Sequence, residues 1–335
     1  MRRAAGRTRS KQSEETLMAR DSEIDRFREQ LAGNRQNQAA EVSIADRRKT
    51  FDAQHGAVPM PPGCVAAPIQ AGQVAGELIT PKGALKNKAL LYHHGGGYMF
   101  GSSTSHRHLV SRLAEAAGVV AFNMDYRLAP EHPYPAALED ALRDYKYVLD
   151  RGFDASDIVV GGESAGGNLT AALLLAIKRD GLPMPAGGYL LSAWLDMTQS
   201  GESYGTRPDP MLSLVAMTTT AAAFVGTADP KDPLVSPVRA DLAGLPPLLI
   251  QVGSDEVLLS DSLEIARRAA LAGVGVELSV WPEMVHAFPL FHHVLPTCGG
   301  AAINAAGEWM RRQLNLPKSP AVESGAAAGR ARATS

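Results

Sequence analysis

Hydrophobic residues in the middle of the chain fall into short continuous runs, and segments of helical length separate these runs. The runs occupy residues 90–92, 119–124, 158–160, 188–194 and 247–252, and residues 276–281 alternate between apolar and polar side chains. Continuous apolar runs are typical of strands that helices cover on both faces of a sheet. The alternation of strands and helices therefore predicts an α/β fold with a mostly parallel, doubly wound sheet. The functional site of such a fold lies at the carboxyl ends of the strands.

The two ends of the chain differ in composition from the part that carries these runs. Residues 14–60 are rich in charged and amide side chains, but apolar residues recur among them at helical intervals, which predicts two short amphipathic helices. Residues 1–13 form a basic stretch and residues 317–335 are mostly Ala, Gly, Ser and Arg, so we expect both tails to be disordered. Residues 61–316 are expected to form one domain, because a chain of 335 residues with 45% hydrophobic content can bury a single large core.

Charge and cysteine content narrow the class of protein. The formal net charge is -2 and 20% of the residues are charged, so nucleic acids and membrane surfaces are not expected partners. No apolar segment follows the basic start, so we expect neither a secretory signal nor a transmembrane helix. Cys64 and Cys298 are far apart and not in a metal-ligand spacing, which favours a cytoplasmic protein that uses no metal.

The strongest chemical signal is the pentapeptide Gly-Glu-Ser-Ala-Gly at residues 162–166, which lies between a predicted strand and a predicted helix. This is the context of a nucleophile elbow, a tight turn that lifts a serine hydroxyl above the sheet. Glycines two positions before and after Ser164 supply the small residues that such a turn requires. We therefore predict that Ser164 is a catalytic nucleophile.

A second element supports a catalytic role for this serine, because three consecutive glycines follow the strand predicted at residues 90–92. Glycines leave backbone N–H groups uncovered by side chains. Such donors, together with the amide of the residue after the nucleophile, stabilise the oxyanion of an acyl-transfer intermediate. We predict an oxyanion hole formed by the amides of Gly95, Gly96 and Ala165.

A catalytic serine needs a general base, and a carboxylate must orient and stabilise that base. After an elbow of this kind, the acid and then the base follow the serine along the chain. His286 lies in the loop after the strand predicted at residues 276–281, and we predict that it is the base. The loop after the preceding strand offers two adjacent carboxylates, Asp255 and Glu256. Neighbouring residues of an extended loop point in opposite directions, so only one of them is expected to face His286.

These motifs together resemble a known family. The sequences His-Gly-Gly-Gly at residues 94–97, Asp-Tyr-Arg-Leu-Ala-Pro-Glu-His-Pro at 125–133 and Gly-Glu-Ser-Ala-Gly-Gly at 162–167 are similar to those of the hormone-sensitive-lipase-like carboxylesterases, bacterial family IV. The resemblance spans residues 60 to 312 approximately and implies the α/β-hydrolase fold. It also implies that the acid is Glu256, since gapless alignment with the family places this residue, and not Asp255, at the acid position.

The resemblance further implies a helical cap over the active site. The N-terminal helices and an insertion at about residues 197–233 would form this cap. A helix predicted at residues 212–226, rich in Ala, Met and Thr, would present an apolar surface to acyl or alcohol groups. The alternative is that this helix only packs against its neighbours. A homodimer through the edge strand at residues 276–281 is a further expectation from the family.

The resulting hypothesis is a serine carboxylesterase that acts on small-molecule esters of short to medium chain length, with the chain-length range implied by the resemblance. Ser164, His286 and Glu256 form the catalytic triad of this hypothesis, which involves no cofactor. Lactone or amide hydrolysis is an alternative, because the same side chains serve these reactions. A non-catalytic small-molecule receptor is a third possibility, but such proteins typically lose the base, and this chain retains His286.

Overall fold

One eight-stranded sheet organises the residues that the structure, a computed structural model, describes, namely 18–33, 43–207 and 209–318. The strands are β1 (Val65–Ala71), β2 (Val74–Thr80), β3 (Leu85–His93), β4 (Val119–Asp125), β5 (Ile158–Glu163), β6 (Gly187–Leu191), β7 (Leu248–Gly253) and β8 (Val276–Trp281). Their spatial order is β1-β2-β4-β3-β5-β6-β7-β8. Strand β2 is antiparallel to β1 and to β4, and the other neighbours are parallel, which confirms the predicted sheet.

Helices connect these strands and precede the first of them. They are α1 (18–33), α2 (Ile44–Gly56), α3 (Ser103–Ala117), α4 (Ala136–Asp150), α5 (Ala165–Arg179), α6 (Ser203–Thr206), α7 (Leu214–Val225), α8 (Leu259–Leu271) and α9 (Pro296–Gln313). Helix α2 buries none of its residues, so the amphipathic pattern predicted for this part of the chain is found in α1. The tail predicted at residues 1–13 and residues 319–335 of the second tail lie outside the described residues.

The sheet has an apolar layer on each face. Leu91, Phe122 and Val160 point into a layer that helices α4, α5 and α8 cover. Alternate strand residues such as Leu90 and Val159 point into the opposite layer, which helices α3 and α9 cover. Burial on both faces explains why the strands appear in the sequence as continuous apolar runs. Because the parallel strands end at one edge, the loops after β3, β5, β6, β7 and β8 meet there.

The strand predicted at residues 188–194 is shorter in the structure, since β6 ends at Leu191. The next residue, Ser192, has a φ of 46°, in the left-handed region that a strand cannot contain. The chain therefore turns away from the sheet three residues earlier than its apolar run indicates.

Helix α1 packs against the loop that follows β8. Ile24 and Phe27 share an apolar cluster with Met284, Val285 and Phe288. Burial of a side chain such as phenylalanine stabilises a contact by about 1.5–3 kcal/mol. The N-terminal helix thus stabilises the loop in which the sequence places the general base.

Within the described ranges, no helix is long and apolar enough to cross a membrane. The same residues contain no group of three or more His, Cys, Asp or Glu side chains that could hold a metal ion. Cys64 and Cys298 are free thiols.

Candidate active site

Ser164 lies at the junction of β5 and α5, in a backbone conformation (φ 56°, ψ −119°) that residues other than glycine rarely adopt. The tightness of the turn explains the flanking glycines. A Cβ at Gly162 would lie 2.5 Å from the carbonyl oxygen of His93, and a Cβ at Gly166 would collide with the same oxygen. The Ser164 N–H donates to the carbonyl oxygen of Leu191 at 2.9 Å, which fixes the elbow to β6.

The residues predicted as acid and base meet at this edge of the sheet. Glu256 follows β7, His286 follows β8, and Glu256 Oε2 lies 3.0 Å from His286 Nδ1. The other carboxylate oxygen accepts hydrogen bonds from Ser192 Oγ and from the Gly253 N–H, each at 2.6 Å. The side chains of Glu256 and His286 are both buried. The carboxylate therefore orients the imidazole and leaves Nε2 as the ring nitrogen that can take part in chemistry.

No hydrogen bond joins Ser164 Oγ to His286 among the residues that the structure describes. The His286 ring bonds to Glu256 instead. Catalytic hydrogen bonds are often long in free enzymes and shorten when the substrate binds. The structure thus brings the acid and the base together and places the serine at the same sheet edge.

Asp255, the other candidate acid, has a different partner. Its carboxylate forms an ion pair with Arg28 of α1 and accepts a hydrogen bond from Ser254 Oγ at 2.9 Å. Arg28 also donates to the carbonyl oxygen of Glu283 at 3.1 Å, in the loop that carries His286. Helix α1 therefore contacts both loops that supply the acid and the base.

Burial and mutual contact shift the pKa values of the acid and the base. Burial raises the pKa of Glu256, and the hydrogen bond from His286 opposes part of that rise. Burial alone would lower the pKa of His286, but its hydrogen bond with Glu256 and the negative charge of that carboxylate outweigh burial. The pKa of His286 is therefore raised above its ordinary value of 6.5. A raised pKa makes the neutral imidazole a stronger base.

The glycine loop, residues 95–97, offers amides that differ in part from those predicted. The Gly95 N–H donates to the buried carboxylate of Glu163, so this amide is occupied and its assignment to the oxyanion hole is corrected. The amides of Gly96 and Gly97 bond to none of the residues that the structure describes. Ala165 is the first residue of α5, where a backbone N–H has no partner within the helix. The amides of Gly96, Gly97 and Ala165 are thus the donors available at this edge.

Helix α7, from the predicted cap insertion, lies against the glycine loop. A Cβ at Gly97 would lie 2.8 Å from Thr220 Cγ2. The next residue, Tyr98, stacks on Phe224 with ring centroids 3.6 Å apart and an interplanar angle of 6°. The helix therefore limits the space above the free amides.

Two residues that sequence reasoning missed support the acid loop. Ser192 donates to Glu256 and also accepts a hydrogen bond from the Ala287 N–H at 3.1 Å, so one hydroxyl joins the acid to the base loop. Asp209 Oδ2 accepts from the N–H of Val257 at 3.1 Å and so joins the predicted cap insertion to the loop after β7. Neither residue belongs to a recognisable motif, and both contacts join segments that are far apart in the sequence.

Comparison with known proteins places this chain in a family. A family model described as the alpha/beta hydrolase fold matches residues 90–290. The chain is 39% identical over 294 residues to an acetyl-hydrolase of Streptomyces hygroscopicus, a match that covers 86% of this chain and 96% of the relative. It is 36% identical over 252 residues to an esterase of Acinetobacter venetianus, covering 74% of this chain and 82% of the relative.

Solved structures that are similar to this chain belong to the same class of proteins as these relatives. An esterase from the bacterial hormone-sensitive lipase family has a TM-score of 0.83 and 39% identity, covering 88% of this chain and 98% of that one. A hormone-sensitive lipase from a metagenome library has a TM-score of 0.84 and 36% identity, covering 87% and 98%. The chain therefore belongs to the α/β-hydrolase fold family and, within it, to the hormone-sensitive-lipase-like esterases, as its motifs predict.

Proposed function

We propose that this protein is a serine carboxylesterase that hydrolyses short- to medium-chain esters through an acyl-enzyme on Ser164. The observation that carries the proposal is the 3.0 Å contact between Glu256 Oε2 and His286 Nδ1, at the sheet edge where the elbow presents Ser164. A buried carboxylate on Nδ1 leaves Nε2 to act as the base. The names of the relatives, acetyl-hydrolase and esterase, support the same class of reaction.

In the proposed reaction, Ser164 Oγ attacks the carbonyl carbon of the ester while His286 Nε2 accepts the hydroxyl proton. The amides of Gly96, Gly97 and Ala165 stabilise the negative charge that forms on the carbonyl oxygen. His286 then donates its proton to the leaving alcohol, which departs and leaves the acyl group on the serine. Water attacks the acyl-enzyme with the same proton transfers and releases the acid. Throughout, the Glu256 carboxylate stabilises the charged imidazole.

Covalent labelling combined with a turnover assay tests this function. A fluorophosphonate should inactivate hydrolysis of p-nitrophenyl acetate in step with the incorporation of one label per chain, because it phosphonylates an activated serine. Mass spectrometry should place the label on Ser164. A label on another residue, or full activity in the labelled protein, would contradict the proposal. A lactone and an acyl anilide in the same assay separate the alternative hydrolase activities.

We expect activity to rise with pH, with a midpoint above the ordinary histidine pKa of about 6.5. Only the neutral imidazole can accept the serine proton, and contact with Glu256 raises the pKa of His286. The assay is kcat/KM for p-nitrophenyl acetate from about pH 5 to 9, read at a wavelength where p-nitrophenol and its anion absorb equally. A profile that is flat through this range would show that a neutral histidine base does not limit the reaction.

We expect short acyl chains to be hydrolysed fastest, because Thr220 and Phe224 limit the space above the glycine loop. A pocket that excludes added methylenes discriminates by about 10-fold or more. The kcat/KM for p-nitrophenyl butyrate should therefore exceed that for the dodecanoate by at least about 10-fold. Thr220→Ala should shift the preference toward longer chains.

Thr219→Ala is the matched control for this substitution. Thr219 lies on the same helix but is exposed, and its hydroxyl bonds to the carbonyl oxygen of Val215 at 3.1 Å. Its replacement should leave the chain-length profile unchanged. Equal profiles for the parent protein and Thr220→Ala would show that α7 does not limit the acyl group.

A further inference from the structure

Glu163, the residue before the nucleophile, carries a carboxylate that the proposed reaction does not use. The side chain is buried, and three donors converge on it. Tyr92 Oη donates at 2.5 Å, His106 Nε2 lies at 2.7 Å, and the third donor is the N–H of Gly95. These donors come from β3, α3 and the glycine loop. One side chain thus joins β5, which ends at Glu163, to the loop that carries the free amides.

The surroundings of His106 favour its charged form. Nε2 faces the carboxylate of Glu163, while Nδ1 lies 3.3 Å from the carbonyl oxygen of Ser102 and 3.0 Å from Ser105 Oγ. The carboxylate only accepts hydrogen bonds, so Nε2 carries a proton, and the carbonyl oxygen of Ser102 favours a second proton on Nδ1. Burial alone would lower the pKa of His106, but the charge and hydrogen bond of Glu163 outweigh burial and the pKa is raised.

The ion pair of Glu163 and His106 lies next to Ser164, so its net charge affects the proposed reaction. An isolated carboxylate next to Ser164 would oppose the negative charge that develops on the substrate oxygen. The charge of His106 compensates that of Glu163. The bond from Glu163 to the Gly95 amide also restrains the backbone immediately before the free amides of Gly96 and Gly97.

We propose that Glu163 and His106 are positioning residues, and that their buried ion pair anchors Gly95 and so holds the Gly96 and Gly97 amides in place for the oxyanion. This inference rests on the serine esterase function proposed above. Both side chains act through the glycine loop and not on the substrate itself. Their loss should therefore weaken binding of the tetrahedral transition state and leave binding of the ester ground state nearly unchanged.

Glu163→Gln tests the inference, because glutamine keeps the size of the side chain and removes its charge. A displacement of catalytic groups by about 1 Å costs about 100-fold in rate, so kcat/KM for p-nitrophenyl acetate should fall about 100-fold with little change in KM. A trifluoromethyl ketone forms a tetrahedral adduct with a catalytic serine and places an oxyanion in the hole. Its inhibition constant should rise by the same factor as kcat/KM falls.

His106→Gln provides a second variant. Its affinity for the ketone tests the inference if Glu163→Gln does not fold. Glutamine offers an amide donor near the position of Nε2 but no charge, so we expect a loss of about 10-fold in ketone affinity. Because the two side chains act as one unit, the double variant should be no worse than Glu163→Gln alone.

Asp144→Asn is the matched control. Asp144 Oδ2 lies 3.4 Å from His93 Nε2 in another buried pair of a histidine and a carboxylate. Its carboxylate makes no hydrogen bond to the glycine loop in the described part of the chain. This variant is expected to change the melting temperature and leave the affinity for the ketone unchanged.

Three results would overturn the inference. The first is a ketone affinity in Glu163→Gln within about threefold of the parent protein, because the inference requires a loss of about 100-fold. The second is an equal loss in Asp144→Asn, which would show a general effect of disturbing a buried pair. The third is a parent protein that neither hydrolyses esters nor binds the ketone, which would remove the serine esterase function as well. Normal turnover by the parent together with unchanged variants would remove this inference alone.

Discussion

Replacement of Ser164 by alanine is expected to lower kcat for p-nitrophenyl acetate by at least about 10³-fold, and up to about 10⁶-fold, the cost of removing the nucleophile of a serine protease. The substitution removes the atom that would form the acyl-enzyme. Ser164 Oγ makes no hydrogen bond to any residue within the described ranges, so its loss should leave the free energy of unfolding nearly unchanged. Activity would then fall for a chemical reason and not because the protein unfolds.

Ser262→Ala is the matched control for this experiment. Ser262 is also buried, and its Oγ has no hydrogen-bond partner in the described part of the chain. It lies on α8 and is not one of the proposed triad residues, so its replacement should leave kcat intact. Circular dichroism and thermal melting compare the two variants with the parent protein. A Ser164→Ala variant that keeps more than about a tenth of the parent activity would contradict a serine nucleophile.

Replacement of Glu256 by glutamine is expected to lower kcat by up to about 10⁴-fold, the cost of replacing the triad acid of a serine protease by its amide. A neutral amide cannot stabilise the imidazolium, and it can hold the ring in the wrong tautomer. Asp255→Asn should change kcat by less than about 10-fold, because Asp255 pairs with Arg28 and not with His286. Steady-state kinetics of both variants at one pH measures the difference.

Thermal melting must accompany these kinetics, because Glu256 also accepts bonds from Ser192 and Gly253, and part of any loss could come from a rearranged loop. The ion pair of Asp255 and Arg28 is only partly buried. Ion pairs near the surface contribute about 0–1 kcal/mol, so Asp255→Asn should melt close to the parent protein. If Asp255→Asn were the crippling change and Glu256→Gln the mild one, the acid would be Asp255. The fold and the class of reaction would be unaffected by that outcome.

The features that the sequence predicted well depend on local patterns. Continuous apolar runs predict buried strands because both faces of the sheet are covered, and the elbow is recognisable because the glycines around Ser164 are required by contacts with His93. Family resemblance, and not residue spacing, selected Glu256 over Asp255. The structure then showed which of the two carboxylates contacts His286.

The features that the sequence did not predict depend on contacts between distant segments. Which amides of the glycine loop are free is decided by Glu163, a residue of another strand that occupies the Gly95 N–H. The apolar run at residues 188–194 hides the end of β6, because the left-handed conformation of Ser192 serves a hydrogen bond to Glu256 and is not signalled by its neighbours. A serine after a strand is too common to be read as a support for a catalytic acid.

The contacts of helix α1 have a consequence for how the protein matures during translation. Arg28 and its partner Asp255 are separated by 227 residues, and Glu23 and its partner Thr297 by 274. At about 5–20 residues per second, a ribosome needs about 10–45 s after synthesising Arg28 to reach Asp255. Contacts of such long range form late in folding because a long loop must close first. Helix α1 is therefore synthesised well before the segments that it contacts, and its contacts cannot be complete until the chain has been made as far as Thr297.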